Sequence, residues 1–95
     1  MPVEHLVALI EEILQQVQTM SGRPPATVGG GTVPIGDLQG FDSLNGLEVT
    51  ILLAERIGYA IPGDVNLFVS EDGRRALTVR QIAERIQGLV PAERE

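Results

Sequence analysis

Between Ser21 and Phe41 the chain carries Pro24-Pro25, Gly29-Gly30-Gly31, Pro34 and Gly36, and no helical period runs through this segment. Proline lacks the amide that a helix interior needs, and glycine loses more backbone freedom than any other residue on entering one. A helical chain interrupted here must place one helix before the tract and every other helix after it. Only Val28, Val33, Ile35 and Leu38 can pin the connection to a core. A connection this long is unusual in a compact domain, and such loops tend to be functional or mobile.

The flanking segments are periodic. Over residues 2–19, Val3, Leu6, Val7, Ile10, Ile13, Leu14 and Val17 share one stripe, while Glu4, Glu11, Glu12, Gln15 and Gln18 fall off it. Pro2 is tolerated in a first turn, where its missing N–H costs nothing. A second helix is expected over Ser43–Ile57, with Asp42 as N-cap and Ser43 as the alternative cap. Leu44, Leu47, Ile51 and Ala54 form one stripe, which Val49, Leu52 and Leu53 widen. That breadth predicts a central helix touching more than one neighbour. Gly58 suits a left-handed C-terminal position, and Pro62 prevents continuation.

Residues 64–69 read as one short helical turn or a strand, and Ser70–Arg75 as a polar turn around Asp72-Gly73. A capping box of Thr78 and Gln81 opens the final helix. Val79, Ile82, Ala83 and Ile86 form its buried stripe, and Gly88 ends it. The expected fold is all-α: a small bundle of three main helices plus a short third helix, with a long first loop. It occupies residues 1–90 as a single domain, followed by a solvated tail at 91–95.

Aromatic residues make up only 3% of the chain against 43% hydrophobic residues, so the core must be aliphatic, which suits packed helices. The net charge is -6 and all seven positive residues are arginine. Such a chain repels a phosphate backbone, so no nucleic-acid partner is expected, and partners with basic faces are favoured. With no cysteine, disulfides, thiolate metal sites and Cys nucleophiles are excluded. Met1-Pro2-Val3-Glu4-His5 lacks the positive segment of a signal peptide, and no apolar run reaches membrane-spanning length. A soluble, cytoplasmic monomer is the expectation.

The segment Gly40-Phe41-Asp42-Ser43-Leu44 resembles the attachment motif of acyl carrier proteins, in which an Asp-Ser-Leu core opens the second helix. Similarity continues through Glu48, Leu52-Leu53-Ala54-Glu55, Ile61-Pro62 and Thr78-Val79, covering residues 37–87. The resemblance implies an acyl-carrier-like four-helix bundle with Ser43 as the acceptor of a 4′-phosphopantetheine arm from coenzyme A. The arm's thiol would hold acyl intermediates as thioesters for fatty-acid, lipid or polyketide-type biosynthesis. It further implies no catalytic residue and no metal, with Asp42, Leu44, Leu47 and Glu48 meeting partner proteins. Those partners are a phosphopantetheinyl transferase and acyl-activating, condensing or acyl-transferring enzymes with basic docking faces. Leu47, Ile51, Leu67 and Phe68 are expected to part and shelter an acyl chain. Asn45, Gly46, Thr50 and Arg56 depart from the acidic second helix of fatty-acid carriers, which points to a specialised member with its own partners.

The competing reading is an unmodified helical interaction module, in which Ser43 is only a helix cap. A serine hydrolase fits worse, because the sole histidine, His5, lies on the first helix and Gly-x-Ser-x-Gly is absent. The glycine triplet lacks the Gly-Lys-Ser/Thr ending of a phosphate loop and reads as a flexible connection. Glu11-Glu12 reads as a solvated face, and Glu71-Asp72 beside Arg74-Arg75 as a charged turn.

Overall fold

The computed structural model describes residues 2–23, 28–38, 40–61, 65–70 and 72–89, with only the backbone of Ser43. Pro24-Pro25, the stop assigned to Pro62, the start of the 64–69 element, Glu71 and the 91–95 tail lie outside the described residues. Among the described residues four helical segments follow one another: α1 (Val3–Met20), α2 (Pro34–Asp37), α3 (Ser43–Ile57) and α4 (Val79–Leu89). Among the described residues there are two isolated β-bridges and no strand.

Of the seven residues of the expected α1 stripe, Val3 and Val7 are half-buried at its edge and five are buried, with Leu6, Ile10, Ile13, Leu14 and Val17 at 2% exposure or less. Each such side chain contributes about 1.5–3 kcal/mol on leaving water. Gln18, read as off the stripe, is also buried, at 1%. A side chain from the loop beyond α1 meets its amide, as described below.

α1, and not α3, is the central helix. It packs against both α3 and α4, and no comparable interface joins α3 to α4. The expectation for α3 fails for a definite reason: its apolar residues lie on two opposite faces. Val49 and Leu53 are fully buried, whereas Leu44, Leu47 and Ile51 are 64%, 57% and 52% exposed. The breadth of the stripe therefore reflects one face on the core and another facing solvent. Exposed ion pairs join Arg56 to Glu12 and Arg80 to Glu4 across the helix pairs, at 3.5 and 3.7 Å. Pairs of this kind contribute little, about 0–1 kcal/mol.

The short helical element lies earlier than expected. It is α2, inside the first loop, where Pro34 is buried and the Asp37 side chain accepts from the Val33 N–H at 2.8 Å. Ile35 and Gly36 depart from helical dihedrals within it, so it amounts to a single irregular turn. The described part of 64–69 is a non-helical turn. Leu67 and Phe68 are buried there, and the Asn66 side chain accepts from the Phe68 N–H at 3.0 Å.

The glycine triplet is pinned, in contrast to the flexible connection expected of it. Gly30 and Thr32 turn their carbonyls onto the start of α4, accepting from the Arg80 and Val79 N–H groups at 2.9 and 2.8 Å. The Thr78–Gln81 capping box forms as read. The first-turn amides of α4 are thus all occupied.

After Phe68 the chain doubles back through Val69↔Ala76, and the Leu77 N–H donates to the Phe68 carbonyl at 2.9 Å. Within this loop the Ser70 hydroxyl and the Arg74 N–H donate to the Asp72 carboxylate. These hydrogen bonds, with the Arg75 charge behind them, hold Asp72 below the usual 3.8. A lowered native value stabilises the loop above the unfolded-state value, and this is lost as pH falls through the native one. The Ser70 and Arg74 amide chemical shifts should therefore titrate together with a midpoint below 3.8, and Asp72→Asn should abolish that titration. A midpoint at or above the unperturbed value would contradict this arrangement.

Candidate functional site

The start of α3 is built by a reciprocal cap. Asp42 is the N-cap, in extended conformation, and its carboxylate accepts from the Asn45 N–H at 3.1 Å. The Asn45 side-chain oxygen accepts in turn from the Asp42 N–H at 3.3 Å. The cap is therefore Asp42, as first expected, and the alternative cap at Ser43 is not used. Ser43 is the first residue of the helix.

Arg23 anchors this turn to α1. Its Nη1 donates to the Asn45 Oδ1 at 2.8 Å and to the Gln18 Oε1 at 3.0 Å, while its N–H donates to the Gln18 carbonyl. The Asn45 Nδ2 then donates to the Glu48 Oε1 at 3.1 Å. Asn45 is 6% exposed, so its amide is deep enough to need every one of these partners. Gly40 crosses directly over the guanidinium with φ of 72°. A Cβ there would lie 2.8 Å from the Arg23 Nε, so both the conformation and the approach require glycine.

Sequence reasoning missed Arg23 and the role of Asn45. An aspartate followed three residues later by a side-chain amide was a legible signal for Asn45. Nothing in the local sequence points to Arg23, because its partners are set by the path of the loop.

The first-turn amides of a helix have no acceptor within the helix. Asp42 takes those of Asn45 and Gly46, through its carboxylate and its carbonyl. The amides of Ser43 and Leu44 precede them, and among the described residues no hydrogen bond closes them. This differs from α4, whose corresponding groups are closed by Thr32, Gly30 and Thr78.

Of the residues expected to meet partners, Asp42, Leu44, Leu47 and Glu48 are all exposed. Leu44, Leu47 and Ile51 fall on one face by spacing, with Glu48 and Glu55 beside them. Met20, 71% exposed at the end of α1, extends this apolar surface. A shallow cleft of about 290 Å³ between Met20, Ile51 and Leu52 joins the two helices there.

On the opposite flank, α3 borders a larger groove of about 540 Å³. Gly46, Leu47, Thr50 and Ile51 line it from α3, and Ile61 and Phe68 line it from the segments that follow. This volume lies in the range of small-molecule sites. The Thr50 hydroxyl is committed to the Gly46 carbonyl at 2.8 Å, so it makes no polar demand on an occupant. Of the four residues expected to shelter a chain, Leu47, Ile51 and Phe68 line this groove, while Leu67 is fully buried in the core. Phe68 is held from behind by Phe41, with ring centroids 5.4 Å apart.

His5 is exposed on α1. Among the described residues no group of three or more His, Cys, Asp or Glu is placed to hold a metal ion. No described helix is long and apolar enough to cross a membrane. Comparison of the chain with protein-family models, with curated proteins and with solved structures gives no match.

Removing the Arg23 side chain strips one partner each from Gln18 and Asn45. Arg23→Ala should lower the unfolding free energy by about 1–3 kcal/mol, measured by urea denaturation. Amide exchange should quicken first over residues 40–45. An unchanged denaturation midpoint would show that the guanidinium is not a structural tie.

Proposed function

We propose that this chain is a carrier protein whose Ser43 accepts a 4′-phosphopantetheine arm and presents acyl groups to separate enzymes. The observation that carries the reading is the place of Asp42-Ser43-Leu44 at the open first turn of a helix with an exposed apolar face. Since Asp42 is the N-cap, the capping role that would otherwise explain a serine here is already filled.

The residues present suit such a group. First-turn amides without an acceptor and the positive end of the α3 dipole favour an anionic phosphodiester at position 43. Asp42 keeps its carboxylate on the Asn45 N–H. In the attachment step the Ser43 oxygen bonds to the β-phosphorus of coenzyme A. The phosphoanhydride bond between the β- and α-phosphates breaks, adenosine 3′,5′-bisphosphate leaves with the bridging oxygen, and the serine proton passes to a base on the transferase. The arm supplies a terminal thiol on which an acyl group rides as a thioester. Leu44, Leu47 and Ile51 offer partner enzymes an apolar contact, and Glu48 and Glu55 attract basic side chains around it. The groove beside Gly46 and Phe68 is of a size and character to take the acyl chain.

The exposed Leu44–Leu47–Ile51 face favours one other reading, an interaction module that stays unmodified. Incubation with coenzyme A and a broad-specificity phosphopantetheinyl transferase, followed by intact mass measurement, separates the two. The expected outcome is a gain of one phosphopantetheine on the wild type and none on Ser43→Ala. Because the Asp42–Asn45 cap is untouched by that substitution, the variant should retain wild-type stability. Absence of any gain with several transferases would leave the interaction module as the reading.

A further inference from the structure

We infer that Gly46 is the residue that decides which acyl groups the groove of this protein admits. The inference rests on the carrier reading and adds a specificity determinant to it.

Glycine within a helix costs about 1 kcal/mol relative to alanine. Neither of the usual reasons for accepting that cost applies at this position. Gly46 has no positive φ, and it lies within α3 and not at its end. What distinguishes it is proximity. A Cβ at this position would lie 3.2 and 3.4 Å from the Cδ2 and Cε2 of Phe68. These contacts are tight, and the ring cannot yield freely. Phe68 is 2% exposed, Phe41 backs its ring, and Arg85 holds its segment by donating to the Asn66 and Val69 carbonyls.

Packing of Phe68 alone would account for a small residue at 46. Two further facts tie the glycine to the groove. Gly46 and Phe68 both line it, Gly46 from α3 and Phe68 from the segment that meets the helix there. Gly46 also follows Ser43 by one helical turn, on the same side of α3, so it stands where a chain tethered at 43 would enter. Bulk at 46 acts twice: it fills the entrance, and it drives the Phe68 ring against its supports. A side chain as small as a methyl group is then enough to shorten the list of acyl groups that fit.

The test uses wild type, Gly46→Ala and Gly46→Val, each converted to the phosphopantetheine form and loaded with acetyl, hexanoyl or decanoyl. Thioester lifetime against hydroxylamine is recorded for each, with circular dichroism as the check on fold. In the wild type, hexanoyl and decanoyl thioesters should outlast acetyl several-fold. Gly46→Ala should reduce that protection and Gly46→Val should remove it, leaving the acetyl lifetime unchanged. Should the valine variant lose its fold, the alanine variant decides alone. A wild-type dependence on chain length that survives in Gly46→Ala overturns the role of Gly46 and leaves the carrier reading intact. Equal lifetimes for all three acyl groups in the wild type would likewise overturn it. Absence of the arm on wild type overturns both.

Discussion

Burial of the aliphatic stripe of α1 is the interaction on which the other elements depend. Leu6, Ile10, Ile13, Leu14 and Val17 form the surface that both α3 and α4 need, and those two helices have no comparable interface with each other. Truncating one of these side chains to alanine removes about 2–5 kcal/mol, a large part of what a domain this small holds in reserve. A bundle organised around one helix also leaves its outer helices covered on one side only. That is why α3, with apolar residues on two faces, buries Val49 and Leu53 and leaves Leu44, Leu47 and Ile51 in solvent. The exposed face follows from the packing arrangement and from the sequence together.

The two long helices that follow the first loop are treated differently by it. At α4 the loop carbonyls of Gly30 and Thr32 close the helix start. At α3 the same loop, through Arg23, reaches the helix from the side and holds the capping residue Asn45. The positive charge of Arg23 therefore sits near the positive end of the α3 dipole. Its two side-chain acceptors, Gln18 and Asn45, are neutral amides. The Asp42 carboxylate at the cap offsets part of that positive potential and an anion at Ser43 would offset more, whereas at α4 the occupied amides offer no such place.

Much of this was legible in the sequence. The bounds of α3, those of α1 to within one residue, the Asp42 cap, the left-handed Gly58 and the Thr78–Gln81 box all rest on short-range rules of period and capping, and all are present. What could not be read depends on contacts between distant segments. Period alone places Leu44, Leu47 and Ile51 on one stripe, but it cannot tell whether a neighbour covers that stripe. Gln18 looks like a surface residue until Arg23 is brought to it by the loop. The third element was misplaced because a proline turn at 34–37 and an apolar run at 65–69 are similarly weak signals, and tertiary contacts decide between them.

Gly46 shows how a local defect can mark a site. Judged by helix propensity, it is simply the poorest residue in α3. Judged by the structure, it is where the Phe68 ring and the groove both reach the helix backbone. Local preference and global packing normally agree in a folded chain, and a position where they conflict calls for a compensating gain elsewhere. Here part of that gain is the seating of Phe68 against Phe41 and α3. The rest, on the proposal above, is the width of the groove one turn from Ser43, which a side chain at 46 would narrow both directly and through the displaced ring.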